Sequence, residues 1–216
     1  MDQILTQITE TIIAGDPEQS AVLAEKALDL GLKPLACINQ GLTPGMNRVG
    51  ELYASGEYFL PDLIAAGEAM KKALGILEPA LVGDEQREVL GHIVIGTVEG
   101  DVHEIGKTLV ATILSANGFR VTDLGVNCSA QNFIDAVVET GATLIGASAL
   151  LTTTMTKQRE LIEALREAGL RTRVKVLVGG APVTSAWAEQ IGADAYAEDA
   201  LSAVARAKQA ALDLAG

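Results

Sequence analysis

The chain has 216 residues, 49% of them hydrophobic, which is enough to build a core in one large or two small domains. Its net charge of -12 repels phosphodiester backbones and its 3% aromatic content leaves little to stack bases on, so nucleic acid is excluded as a partner. Cys37 and Cys128 stand alone without a CxxC pair, no apolar run approaches ~18 residues, and the start "MDQILTQITETIIAGD" is acidic where a signal peptide is basic, so the expectation is a cytoplasmic protein away from membranes.

Up to residue 80 the strong periodicities are helical. Ile4, Leu5, Ile8, Ile12 and Ile13 space out a first helix. Asp16-Pro17 is a cap and first-turn pair for a second, which stops at Gly31. Lys33 to Ser55 reads as one helix carrying Ile38, Leu42, Met46, Val49 and Leu52, kinked at Pro44 and ended by Gly56. Pro61 opens the last, with Leu60, Leu63, Ile64, Leu74 and Leu77 on its apolar positions, and the four predict a bundle. The acidic, glycine-containing "LVGDEQRE" then serves as linker between domains 1–84 and 85–216.

From residue 88 short β-branched runs alternate with amphipathic stretches. "VLGHIVIGTV", "FRVTDLG", "ATLIGASAL", "VKVLVGG" and "ADAYAED" are the strands, each followed by a helix. The fold class expected is α/β: an N-terminal four-helix bundle followed by a Rossmann-like or flavodoxin-like sheet of five parallel strands with helices on both faces. Ligands of such sheets sit beyond the carboxyl ends of the strands, where strand order reverses. The loops "EGDVHEIG", "SALLTTT" and "GGAPV" follow strands one, three and four and therefore share one rim.

The first of these loops lies within "GTVEGDVHEIGKTLV", whose Gly-Lys-Thr invites a P-loop reading. A P-loop places four residues between its glycines, because that length curls backbone amides around a phosphate. Here five separate Gly100 from Gly106, Asp101 and Glu104 would face the phosphates with like charge, and no convincing magnesium-binding aspartate ends strand three. His103 has two readings: a polar surface or capping residue, or a metal ligand whose second ring nitrogen is held by Asp101 two residues earlier. The only other histidine is His92 on the strand, and no cysteine pair is near, so a metal on His103 brings its remaining ligands with it, as a macrocycle does.

The run Asp101-Val102-His103-Glu104-Ile105-Gly106, then Ser148-Ala149-Leu150 after 41 residues, then Gly179-Gly180 after 28 more, resembles the cobalamin-binding signature. That signature is shared by methionine synthase, the cobalamin mutases and the corrinoid proteins of anaerobic methyltransferase systems. "GLTPGMNRVGELYASGEYFLPDLIAAGEAMKKALGILEPAL" is similar to the helical cap of the methyl-transferring members, which the mutases lack. The resemblance implies cobalamin, as methylcobalamin or another corrinoid, bound with its own base displaced and His103 as the lower ligand to cobalt. It implies a cofactor-binding set of Asp101, Val102, His103, Ile105, Gly106, Ser148, Leu150, Thr152, Thr154, Gly179 and Gly180. Gly179 and Gly180 leave room for the nucleotide tail, while Ser148 and Thr152 offer it hydroxyls. Thr154 stands where methionine synthase has a serine that completes a relay with the Asp and His. Over the upper face of the corrin the resemblance places Tyr53, Leu60 and Leu63; ordinary helix packing is the other reading of these three.

The function implied by the resemblance is that of a methyl carrier that does not turn over alone. One methyltransferase, specific for its substrate, loads the cobalt; an acceptor methyltransferase, working on tetrahydrofolate or another acceptor, unloads it; a reductive activase can complete the set. The helical half would swing away about "LVGDEQRE" to expose the methyl group. The rival reading is a cobalamin-dependent sensor or storage module, which calls for an output element that the chain does not show.

Overall fold

The helices of the first half begin and end on their local signals, with one instructive exception. The computed structural model describes residues 2–81 and 89–215, and the chain divides into two units, Met1–Glu88 and Val89–Gly216. The linker expected at 81–88 lies, apart from Leu81, outside the described residues.

In the first unit α1 (Asp2–Ala14) buries Ile4, Ile8 and Ile12, one residue per turn. α2 (Pro17–Asp29) is capped by Asp16, whose carboxylate accepts from the N–H of Gln19 at 2.9 Å. The third helical run is not a single helix kinked at Pro44: it is α3 (Pro34–Cys37), a π turn (Ile38–Leu42) and α4 (Thr43–Ala54). Proline has no N–H to donate to the carbonyl four residues back, so the ladder widens just before it and the N–H of Thr43 reaches Ile38 O instead. Ile38, Leu42, Met46, Val49 and Leu52 stay buried through the irregularity, so the apolar stripe survives the change of pitch. α5 (Leu60–Leu77) starts with Pro61 in its first turn, and Asp62 accepts from the N–H of Phe59 at 2.8 Å.

The second unit alternates β1 (Gly91–Thr97), α6 (Ile105–Ala116), β2 (Phe119–Asp123), α7 (Ala130–Thr140), β3 (Leu144–Ser148), α8 (Thr156–Glu167), β4 (Lys175–Gly179), α9 (Ser185–Ile191), β5 (Ala195–Ala197) and α10 (Ala200–Ala215). All pairings are parallel and the order is β2-β1-β3-β4-β5, with α6 packed on α10 and α7 and α9 packed on α8. Val94, Ile145, Val176 and Val178 of the sheet form one core with Phe133, Leu161 and Trp187 of α7, α8 and α9. The chain leaves β1 toward one edge and returns to lay β3 on its other side, so the order reverses between them. Register then sets the rim: Thr97 stands opposite Ser148, Ser148 opposite Gly179 and Gly179 opposite Ala197, so the strands end level.

No described helix is long and apolar enough to cross a membrane. In the first unit, α4 approaches α1 so closely that a Cβ on Gly45 would stand 2.8 Å from Ile12 Cβ and 2.9 Å from the carbonyl oxygen of Thr9. Gly45→Ala therefore sets about 1 kcal/mol of helix propensity against an overpacking cost of ~1–3 kcal/mol. Because part of the clash is with backbone, overpacking wins. The expected result is a lower urea midpoint by circular dichroism.

Candidate functional site

Asp101 is buried with 0% of its surface exposed, and each of its carboxylate oxygens accepts two hydrogen bonds. Oδ1 takes the ring Nδ1–H of His103 at 2.7 Å and the His103 N–H at 3.1 Å. Oδ2 takes the N–H of Leu150 at 2.7 Å and the hydroxyl of Thr154 at 2.7 Å. Four donors fill the acceptor sites of a carboxylate and leave no place for a proton. Burial by itself pushes this carboxyl up, but the bonds from Leu150, Thr154 and His103 outweigh it and hold the group well below the usual carboxylate range. Three segments are thereby tied to one charge: the loop after β1, the exit of β3 and the turn that enters α8.

The same charge decides the chemistry of His103. A carboxylate only accepts, so Nδ1 carries the hydrogen and Nε2 of the neutral ring keeps its lone pair. The ring belongs to the loop just before α6, 48% of its side chain is exposed, and its main-chain carbonyl is pinned by Thr97 Oγ1 at 2.9 Å. His103 thus sits half-exposed on a fixed base, with Nδ1 held by Asp101. Its loop also carries exposed apolar side chains, Val102 at 70% and Ile105 at 77%, and the exit of β3 exposes Leu150 and Leu151. No group of three or more His, Cys, Asp or Glu side chains capable of holding a metal occurs among the described residues.

Thr154 bonds Asp101 with its methyl lying toward Gly100, 3.7 Å from where a Cβ would be. Its hydroxyl also lies 3.0 Å from Leu151 O; the shorter contact, to an ionised oxygen, is the stronger. Ser148 is half-buried at the end of β3 and Thr152 is exposed. Gly179 and Gly180 have a reason of their own within the protein. A Cβ at Gly179 would stand 2.9 Å from Ala197 O, and one at Gly180 only 1.9 Å from Ala149 O. At Gly106, by contrast, an added Cβ would meet nothing within 4 Å.

The lysine of the Gly-Lys-Thr run turns away from the rim: Lys107 is buried and its ammonium pairs with the carboxylate of Asp123 at the end of β2. It cannot serve a phosphate there. In the first unit, Tyr53 is half-buried on α4 and Leu60 is exposed at the start of α5. Leu63 is 1% exposed and belongs to the buried stripe with Ala66, Met70, Leu74 and Leu77; the apolar side chains exposed beside Leu60 are Phe59 and Ile64.

Two residues that shape the rim are not among those the sequence singles out. Gln158 is fully buried; its amide nitrogen bonds Ala147 O at 2.9 Å and Gly179 O at 3.2 Å, and its oxygen accepts from Trp187 Nε1 at 3.0 Å, so it clamps the ends of β3 and β4. Its signal in the sequence is a polar residue within the apolar stripe of α8, one turn before Leu161 and Ile162. Asn127, in the loop after β2, accepts from the N–H of Gly100 at 2.8 Å. Nothing in its local sequence marks it beyond the tolerance of asparagine for turns.

The family profile described as a B12 binding domain matches residues 91–205, and a second B12 binding domain profile matches residues 4–78. The chain is 45% identical to dimethylamine corrinoid protein 2 of Methanosarcina acetivorans over 96% of both chains. It is 44% identical to trimethylamine corrinoid protein 2 of Methanosarcina mazei over 97% of this chain and 96% of that one. Among solved structures it is similar to a cobalamin-binding protein from Desulfitobacterium hafniense, with TM-score 0.74 and 33% identity over 95% of this chain and 97% of the other. It is also similar to a chain of the methanol:cobalamin methyltransferase complex of Methanosarcina barkeri, with TM-score 0.87 and 29% identity over 100% of this chain and 81% of that one.

The filled carboxylate makes stability depend on acid. A carboxyl held low in the folded protein stabilises it fully above the unfolded value of about 4, and that contribution fades as the pH falls below it. In Asp101→Asn one acceptor oxygen becomes an NH2 that must face a donor, at a cost of about 1–3 kcal/mol at neutral pH. Urea unfolding between about pH 2 and 7 should show a smaller acid loss in the variant than in the wild type.

Proposed function

Since this chain belongs to the B12-binding family, among the corrinoid proteins of methyltransferase systems, we propose that it carries a methyl group on a corrinoid bound base-off with His103 as the lower ligand. The observation that carries this reading is the Asp101–His103 pair: a buried, ionised carboxylate holds Nδ1 of a half-exposed ring, in a loop whose Val102 and Ile105 are exposed apolar residues. The donor set fits a corrinoid, because one imidazole suffices when the macrocycle brings four nitrogens, and the exposed apolar side chains of the loop suit a large flat ligand. The open space at Gly106 lets that ligand lie close to the first turn of α6. When bound, the corrinoid supplies a cobalt able to take up and release a methyl group.

The residues of the chain do the rest. Asp101 would keep His103 in the tautomer able to ligate, and Thr154, donating to the other carboxylate oxygen, would hold that carboxylate in place. Ser148, Thr152 and the backbone at Gly179 and Gly180 offer polar contacts to the displaced nucleotide tail. The partners are methyltransferases: one that delivers the methyl group from its substrate and one that transfers it onward, with tetrahydrofolate as the acceptor we favour and a reductive activase to restore the lowest cobalt state. The names of the relatives favour a methylamine as the original donor.

Titration with cobalamin should reach about one equivalent, and the electron paramagnetic resonance spectrum of the Co(II) form should show splitting from a nitrogen that changes when the protein is labelled with 15N. A benzimidazole signal that ignores the label would end the His103 assignment. His103→Ala should lose the protein-derived splitting, and Asp101→Asn should weaken cofactor affinity or methyl exchange with a purified methylamine methyltransferase by about 10- to 100-fold. Binding without methyl exchange would favour the storage or sensor reading.

A further inference from the structure

Among the described residues Asn127 is the one non-glycine at positive φ, 56°. Side chains enter this left-handed region at a cost, and asparagine is among the few that do so in ordinary turns. In return the residue closes a ring of hydrogen bonds onto the loop after β1. Its Oδ1 accepts the N–H of Gly100 at 2.8 Å, and its own N–H donates to the carbonyl of Asp101 at 2.9 Å. Residues 98–101 form a turn in which the N–H of Asp101 donates to Val98 O at 3.1 Å and Gly100, in third place, has φ +80°, the type II arrangement. The N–H in that third place has no acceptor inside such a turn. Asn127 provides one from the loop after the neighbouring strand β2, gripping the residue before Asp101 and Asp101 itself.

We infer that Asn127 is a positioning residue for His103: by locking the Val98–Asp101 turn it aims the Asp101 carboxylate and thereby selects the ring nitrogen left free for the metal. The inference rests on His103 as the lower ligand, but it concerns a contact of the protein without cofactor. Neighbouring links hold the loop's backbone in any case, since Cys128 N–H bonds Thr97 O at 2.9 Å. What the Asn127 side chain adds is specific to the turn that carries Asp101.

The test separates side chain from backbone. Asn127→Gly removes the acceptor yet suits positive φ, whereas Asn127→Asp keeps an acceptor oxygen in the same place. In the apoprotein, two-bond 1H–15N correlation reads the tautomer of each neutral imidazole, and His92 is the only other histidine. Wild type should show His103 with hydrogen on Nδ1. Asn127→Gly should lower its Nδ1–H to Nε2–H ratio by about fivefold, the equivalent of one net hydrogen bond, and speed amide exchange at Gly100. Asn127→Asp should restore the wild-type ratio. The inference is overturned if Asn127→Gly leaves the ratio unchanged, if Asn127→Asp shifts it as far as glycine does, or if wild-type His103 carries its hydrogen on Nε2. Because the ratio is read without cobalamin, a failure of cobalt ligation by His103 would appear in the paramagnetic resonance experiment while leaving this result readable.

Discussion

The buried carboxylate of Asp101 is the constraint on which the site depends. An ionised group with no exposed surface is costly unless every lone pair is used, and here four donors from three separate segments use them. The loop after β1, the exit of β3 and the entry to α8 converge on one point because moving any of them would strand a charge. The same saturation fixes the histidine tautomer, so stability and the state of the imidazole rest on a single group.

Topology brings those segments within reach. With β3 laid beside β1 and the strand ends in register, Thr97, Ser148 and Gly179 finish level, and their loops begin at one height. Gln158 then fastens the ends of β3 and β4 from below through their carbonyls. The glycines at the end of β4 are required first by the closeness of Ala149 O and Ala197 O. The space their missing side chains would fill is already taken by those carbonyls.

The helical unit solves a different problem. Pro44 would leave a carbonyl without a donor in a regular helix, and the π turn before it absorbs the mismatch while α1 packs closely against the glycines on either side of it in sequence. Thr9 Oγ1 bonds the carbonyl of Gly41 at 2.8 Å, so the irregular turn is satisfied from the neighbouring helix.

Sequence by itself determined the alternation of elements, the cap at Asp16, the helix start at Pro61, the shared rim and the Asp-x-His pair, because each is written in short-range periodicity or spacing. The cobalamin signature was legible for the same reason: its motifs lie on loops whose separation is the length of the intervening elements. Tertiary structure alone decided that Lys107 serves Asp123 and not a phosphate, and that Asn127 and Gln158 brace the rim. These depend on partners between 11 and 29 positions away, and only folding brings such groups within 3 Å or so of each other.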